Sequence, residues 1–369
     1  MNSVKMNRRR FLAASAVVAR GAAAAPAAEW RNRRAGERYR RLGRTGFMVS
    51  EVCMGGVSVN PDNYEFVLKA ADLGLNYLDT APAYGKGKSE EGFGKVLKAR
   101  GRDRFFVSTK VSPWVDRRNA LYADIFASLP AAELRKLEHA AEEEIERRRA
   151  EDPDYFGDYF HGQRKNLRAS ILSNVMARKY DEKIDRVKNY KQLIFESVEA
   201  SLRRLGTDHV DVITCPHGAS SGYEVRRHPE IFEAFEELKK QGKARHLSVS
   251  SHSDPAGVLE AAMDMKVYSM AMVAFSHLNH AFFNRLLERA GEEDFGVLSM
   301  KAARPYFDRY DGNKPKAERV AKLEKVMPEP RGIARKAYAW ALRNPSVAGV
   351  VAGLQNDRMV GEIMPLARG

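Results

Sequence analysis

Four side chains set the chemistry this chain could carry. Asp79 and Tyr84 lie in Asp79-Thr-Ala-Pro-Ala-Tyr-Gly-Lys-Gly-Lys-Ser-Glu90, Lys110 closes Ser108-Thr-Lys110, and His217 closes Cys215-Pro-His217. A phenol with an ordinary pKa of about 10 is a poor acid or base near neutrality. An ammonium that favours phenolate, itself paired with a carboxylate, brings the phenol toward the working range. An imidazole and a phenol then offer two hydrogen bonds to an oxygen that gains negative charge. Taken singly, each residue has an ordinary reading: a packed loop aromatic, a core ion pair, a satisfied core histidine. The four together at three successive strand ends favour the chemical one.

The elements that must position them alternate. Short apolar or β-branched runs at Val49 to Met54, Asn76 to Asp79, Phe105 to Lys110, Val210 to Cys215, Arg245 to Ser250, Ser269 to Phe275, Gly296 to Lys301 and Val347 to Ala352 read as strands. Amphipathic stretches at Tyr64 to Leu73, Glu90 to Lys98, Phe195 to Leu205, Pro229 to Gln241 and Arg331 to Leu342 read as the helices between them. Eight such units predict an α/β fold of the (β/α)8 TIM-barrel type.

One interval breaks the rhythm. Between the third strand and its helix, roughly 80 residues intervene, far more than an ordinary connection of this type. Residues 113–189 are expected to form a helical insert. Leu134, Leu137, Ala141 and Ile145 fall on one stripe, and Leu167, Ile171, Val175, Tyr180, Ile184 and Val187 on another. Such an insert emerges at the C-terminal face, over the active-site mouth. Its aromatic and acidic stretch, Asp152 to His161, either glues the insert to the barrel or lines the substrate site. The Met263, Met265, Met270, Met272 group reads as core packing.

Composition fits a folded chain and excludes several classes. Of 369 residues, 44% are hydrophobic, so a disordered chain is excluded. Cys53 and Cys215 alone cannot build a disulfide framework or a cysteine-ligated metal site, and no metal is expected; at most one bridge is available.

Residues 1–28 read as a targeting segment: Lys5 and Arg8-Arg9-Arg10, then an apolar run from Phe11 to Ala19 too short to span a bilayer, then a small-residue stretch with Ala25-Pro26-Ala27. Asn7-Arg8-Arg9-Arg10-Phe11-Leu12 resembles the twin-arginine export motif, which implies the twin-arginine machinery as a partner and a periplasmic or otherwise exported protein with no membrane span in its mature form. Removing this segment lowers the net charge from +14 to 14 − 5 = +9. The remaining excess includes Arg31, Arg33, Arg34, Arg38, Arg40, Arg41 and Arg44, expected as a solvated or anion-facing surface; nothing resembles a nucleic-acid-binding module.

Several motifs in fixed order carry a resemblance to a known family. The Asp79 to Glu90 segment, Arg41-Leu-Gly-Arg-Thr-Gly46, Ser108-Thr-Lys110, Glu196-Ser-Val-Glu-Ala-Ser-Leu-Arg-Arg-Leu-Gly206 and Cys215-Pro-His217 together resemble the aldo-keto reductases, over about residues 41 to 365. The resemblance implies a small carbonyl or alcohol substrate and hydride transfer to or from NADP(H), with NAD(H) as the alternative. It implies Tyr84 as the general acid beside Lys110 and Asp79, with His217 orienting the substrate oxygen. It implies cofactor contacts at Ser250 and Ser251 in place of the family's Ser-Asn, at Met300 in place of the nicotinamide-stacking aromatic, at Lys301 for the pyrophosphate, and at Gly353 and Arg358 for the adenosine phosphate. The family's sixth-strand Gln falls near Met272, and its closing Asn at Glu362 or Ile363.

Export separates the enzyme from the cytoplasmic nicotinamide pool. The expected resolution is a cofactor loaded before export and cycled on the enzyme, with a sugar-type substrate suggested by Asp152 to His161. Two other classes remain open at this stage, a cofactor-free binding protein and a non-redox lyase or isomerase on the same barrel.

Overall fold

The structure is a computed structural model that describes residues 26–368. The arginine motif and apolar run of the targeting segment lie outside the described residues. Eight strands close into a barrel: β1 (Val52–Gly55), β2 (Tyr77–Asp79), β3 (Phe106–Lys110), β4 (Val210–Thr214), β5 (Ala244–Ser251), β6 (Met270–Ala274), β7 (Gly296–Met300) and β8 (Gly349–Ala352). Each pairs in parallel with its sequence neighbour, and β8 closes on β1 through Val350↔Val52, Val351↔Cys53 and Ala352↔Met54. The expected barrel is therefore present, with shifted ends.

The largest shift is in the first strand. The expected run from Val49 to Met54 is broken at Glu51, and only Val52–Gly55 enters the barrel. Phe47–Ser50 instead belongs to a three-stranded sheet with Glu29–Trp30 and Tyr39–Arg41. Glu51 is 2% exposed and binds Arg40 Nε at 2.6 Å and Arg38 Nε at 2.9 Å. A buried carboxylate needs such partners, and the chain turns to supply them.

This small sheet plugs the N-terminal end of the barrel. Phe47 stacks on Phe106 with ring centroids 4.2 Å apart, over an inner cluster of Cys53, Tyr77, Val212, Met270, Met272 and Leu298. The arginines expected as solvated surface are largely paired. Asp211, whose side chain is fully buried, takes Arg31, Arg102 and Arg245 at 3.1, 2.8 and 2.8 Å, and Arg41 pairs with Asp294 at 3.0 Å. Burial works against the Asp211 charge, yet these guanidinium groups hold its pKa below the usual carboxylate range. Arg40 also donates to the carbonyls of Leu342, Asn344 and Val347, and Arg38 to that of Leu366.

The insert is helical, as the periodicity predicts, with helices at Pro113–Ala127, Ala131–Arg147 and Gln163–Tyr180. Leu137, Ala141, Ile145, Leu167, Ile171 and Val175 are buried and join one hydrophobic cluster with the outer barrel core. Val187, assigned to the second stripe, is 66% exposed, because the chain leaves the helix at Tyr180 and changes phase. Met263, Met270 and Met272 are buried, and Met265 packs against the core. Among the described residues, no helix is long and apolar enough to cross a membrane.

Candidate active site

The loop after β2 presents Tyr84 through a left-handed turn. Gly85, Lys86 and Gly87 have φ of 59°, 55° and 93°. At Gly87 the requirement is double, since a Cβ there would meet Arg204 Cδ at 2.7 Å. Arg204 passes this point to reach buried Glu90, Nε to Oε2 at 2.6 Å, and Glu90 also accepts from Thr109 Oγ1 at 2.6 Å. Ser89 Oγ lies 2.7 Å from Thr80 Oγ1 and donates to the Gly56 carbonyl at 2.7 Å. The Ser-Glu that ends the motif thus ties the Tyr84 loop to β1, β3 and the helix carrying Arg204.

Three strand ends then converge. Lys110 Nζ donates to Asp79 Oδ1 and Oδ2 at 2.7 and 2.6 Å and to the Thr80 carbonyl at 2.8 Å, with both side chains almost fully buried. The ammonium lies 4.7 Å from the Tyr84 ring centroid, and the rings of Tyr84 and His217 stand edge to face at 6.2 Å. The structure therefore brings Asp79, Tyr84, Lys110 and His217 together.

Their electrostatics differ from expectation in one respect. Burial pushes the Tyr84 phenol above its ordinary pKa, and Lys110 offsets this only in part. The resting group is a neutral phenol with a proton to give, not one drawn toward phenolate. Burial works against the Lys110 charge, but Asp79 outweighs it, so the lysine stays charged. Burial, then Lys110 and Lys301, depress His217 to about 3, which leaves a neutral imidazole. Its Nδ1 is 3.0 Å from Ser112 Oγ, a partner the sequence reading did not single out.

The expected cofactor residues are spread along the C-terminal ends of β5, β7 and β8. Ser250 Oγ accepts from the Gly218 N–H at 3.1 Å, and its own hydrogen has no acceptor among the described residues. Ser251 Oγ donates to the Ala219 carbonyl at 2.7 Å and accepts from the Asp254 N–H at 3.0 Å, so this hydroxyl is committed to the loop. Met300 is 7% exposed at the top of the inner cluster. Lys301 follows at φ 61°, its pKa lowered to about 8 by burial and then by Arg304 and Lys110. Gly353 has open space where a Cβ would stand. Arg358 is exposed and pairs with Glu362 at 3.1 Å, and Asn356 caps its helix by accepting from Met359 N–H. Arg309 Nε and Nη1 are buried without partners among the described residues, while Nη2 holds Asp158 at 2.8 Å. A lysine poised near neutrality and unsatisfied guanidinium donors fit a phosphate-bearing group on this side of the mouth.

The insert reaches the same rim. Tyr155 donates to Asp254 Oδ1 at 2.7 Å, Arg148 Nη2 to Asp254 Oδ2 at 2.7 Å, and Tyr159 and Phe160 face His252 at 6.0 and 5.4 Å. The stretch from Asp152 to His161 both fastens the insert to the barrel and borders the mouth. His252 was within reach of the sequence reading, in Leu247-Ser-Val-Ser-Ser-His252.

The barrel thus gathers a lysine–aspartate pair, a phenol and an imidazole at its strand ends, the face where barrels of this kind carry their sites. Residues 51–364 match the Aldo/keto reductase family, and the chain belongs to that family. It is 24% identical over 361 residues to the aldo-keto reductase AMT2 of Alternaria alternata, covering 88% of this chain and 86% of that one. It is 23% identical over 345 residues to L-galactose dehydrogenase of Arabidopsis thaliana, with the same coverage. Among solved structures, an aldo-keto reductase of Bacillus halodurans superposes with a TM-score of 0.59 at 22% identity, covering 90% of this chain and 91% of that chain. One from Klebsiella pneumoniae in complex with NADPH superposes at 0.54 and 18%, covering 90% and 89%.

Proposed function

We propose that this protein interconverts a carbonyl and an alcohol with NADP(H), that Tyr84 is its general acid and base, and that the natural substrate is of sugar type. The observation that carries the reading is the charged Lys110–Asp79 pair beside a half-buried, neutral Tyr84 with neutral His217 facing it. In support of the cofactor, the Klebsiella pneumoniae relative was solved with NADPH. In support of the substrate class, L-galactose dehydrogenase is similar over most of the chain.

When bound, the nicotinamide would supply or take the hydride; Lys301, Arg304 and Arg309 would face its phosphates, and Ser250 its carboxamide. The substrate oxygen takes two hydrogen bonds, one from the Tyr84 O–H and one from His217. As the carbonyl carbon gains hydride, Tyr84 gives its proton to the oxygen. The phenolate left behind sits against the Lys110 ammonium, which Asp79 fixes in place and keeps charged. In the oxidation direction the same phenolate takes the alcohol proton.

The leader resembling a twin-arginine signal adds export to this reading, with the nucleotide loaded before transport and cycled between two substrates on the enzyme. The insert borders the mouth and would slow nucleotide loss. The test is to express the whole chain, purify the exported fraction and identify any nucleotide released on denaturation. Stoichiometric NADP(H) is expected. An empty protein that also fails to bind added NADP(H) overturns the redox reading.

A further inference from the structure

The base of the barrel, away from the reacting groups, carries a cavity of its own. It measures about 490 Å³, room for a small ligand, and six arginines line it: Arg38, Arg40, Arg331, Arg335, Arg343 and Arg368. Arg38 and Arg40 flank Tyr39 in the region that plugs the barrel, and Glu51 at the entry to β1 stands with them. On the other wall, Arg335 and Ala339 lie one turn apart on the helix Ile333–Ala341, with Arg331 just ahead of it and Arg343 just past it. None of the residues given to substrate or nucleotide lines this cavity.

Four of the six arginines are held in place. Glu51 takes Arg40 at 2.6 Å and Arg38 at 2.9 Å, and the carbonyls of Leu342 and Leu366 take the same two guanidinium groups at 2.7 and 2.6 Å. Arg368 pairs with Glu37 at 2.9 Å, and Arg343 reaches Glu329 at 3.7 Å and the Val326 carbonyl at 3.1 Å. Arg331 is exposed and Arg335 half-buried, and neither side chain makes an ion pair or a hydrogen bond among the described residues. Six arginines thus face three acids, an excess of three positive charges around one space. Like charges gathered in this way repel, and an anion placed among them relieves the repulsion.

We propose that this cavity is a second binding site, for a ligand that carries two phosphate groups, either free in solution or on a lipid. A phosphate monoester brings roughly −1.5 to −2 charge at neutrality, so two phosphate groups answer the excess where a single one does not. The guanidinium fork binds phosphate oxygens in pairs. The anchored arginines present that fork already oriented, and the unpaired Arg331 and Arg335 complete the ring of donors around the ligand. The site uses none of the residues of the redox reading and stands or falls apart from it.

The test is calorimetric titration of the full chain with pyrophosphate at physiological salt, with NADPH present in excess. One pyrophosphate per chain is expected, and Arg331→Gln/Arg335→Gln should weaken its binding about tenfold or more. Neither side chain holds another part of the fold, so this variant should keep the wild-type Tm. Arg331→Lys/Arg335→Lys, charged but without the fork, should bind with intermediate affinity. Co-sedimentation with phosphatidylcholine vesicles containing cardiolipin, a lipid with two phosphate groups, separates the sources. Pelleting that the Gln variant loses assigns a lipid headgroup, and pyrophosphate binding without pelleting assigns a soluble ligand. Sulfate binding as tight as that of pyrophosphate, equal binding by the Gln variant, or binding of neither probe overturns the proposal.

Discussion

Ser112 Oγ stands 3.0 Å from His217 Nδ1 while accepting the Ala83 N–H at 3.3 Å. Among the described residues the serine hydrogen has no other acceptor, so it goes to Nδ1. His217 is then left with its proton on Nε2, the tautomer that donates to a substrate oxygen. Ser112→Ala is expected to release the ring and lower kcat about tenfold while leaving nucleotide binding intact. Unchanged kcat in the variant would remove Ser112 from this role.

Tyr84→Phe keeps the ring against Lys110 and removes the proton that is transferred. Turnover should fall about a thousandfold, with NADP(H) affinity within about twofold of wild type. Steady-state kinetics beside a fluorescence titration of NADPH separate the two. A variant that keeps a tenth of its activity would move the proton to another group.

Lys301 gives a pH dependence with a definite sign. Its pKa is lowered to about 8, chiefly by burial, so it is charged below that pH and neutral above it. Affinity of the nucleotide-free protein for NADP(H) should therefore fall as pH rises through about 8, by up to about tenfold per unit. Lys301→Arg should flatten the curve, since guanidinium stays charged. A wild-type curve that is already flat between pH 7 and 9.5 contradicts this role.

Four histidines, His228 buried and His217, His246 and His252 partly so, set the acid limit of the fold. His217 is depressed to about 3 and His246 to about 4, both chiefly by burial, and His228 and His252 lie well below the usual value for the same first cause. In the unfolded chain each takes up a proton near pH 6.5. Stability is therefore full above that pH and declines as pH falls toward 4, where the unfolded state binds protons the folded state refuses. Tm should drop by several degrees between pH 7 and pH 4.5. A constant Tm over that window would mean these imidazoles are open to water.

That Asp79, Tyr84, Lys110 and His217 come together was legible because their spacing follows strand ends, and strand ends in a barrel share one face. Asp79, Lys110 and His217 needed only the strand count, and Tyr84 only the short loop after Asp79. The direction of the Tyr84 shift was not legible, since it depends on burial, and sequence shows the lysine but not the enclosure. The fate of the leading arginines was hidden for another reason: their acids are far away in the chain, Asp211 for Arg31 and Asp294 for Arg41. Ser251 looked like its neighbour Ser250, and only the loop geometry separates a committed hydroxyl from one with a hydrogen still to give.

The first and last strands of the barrel are sewn together at its base, with Val52 beside Val350 and Arg40 capping carbonyls at Leu342, Asn344 and Val347. During synthesis, β1 meets its last partner only after every other barrel strand has been made. Until then the open sheet carries an unpaired edge, so closure of the barrel is a late, non-local step.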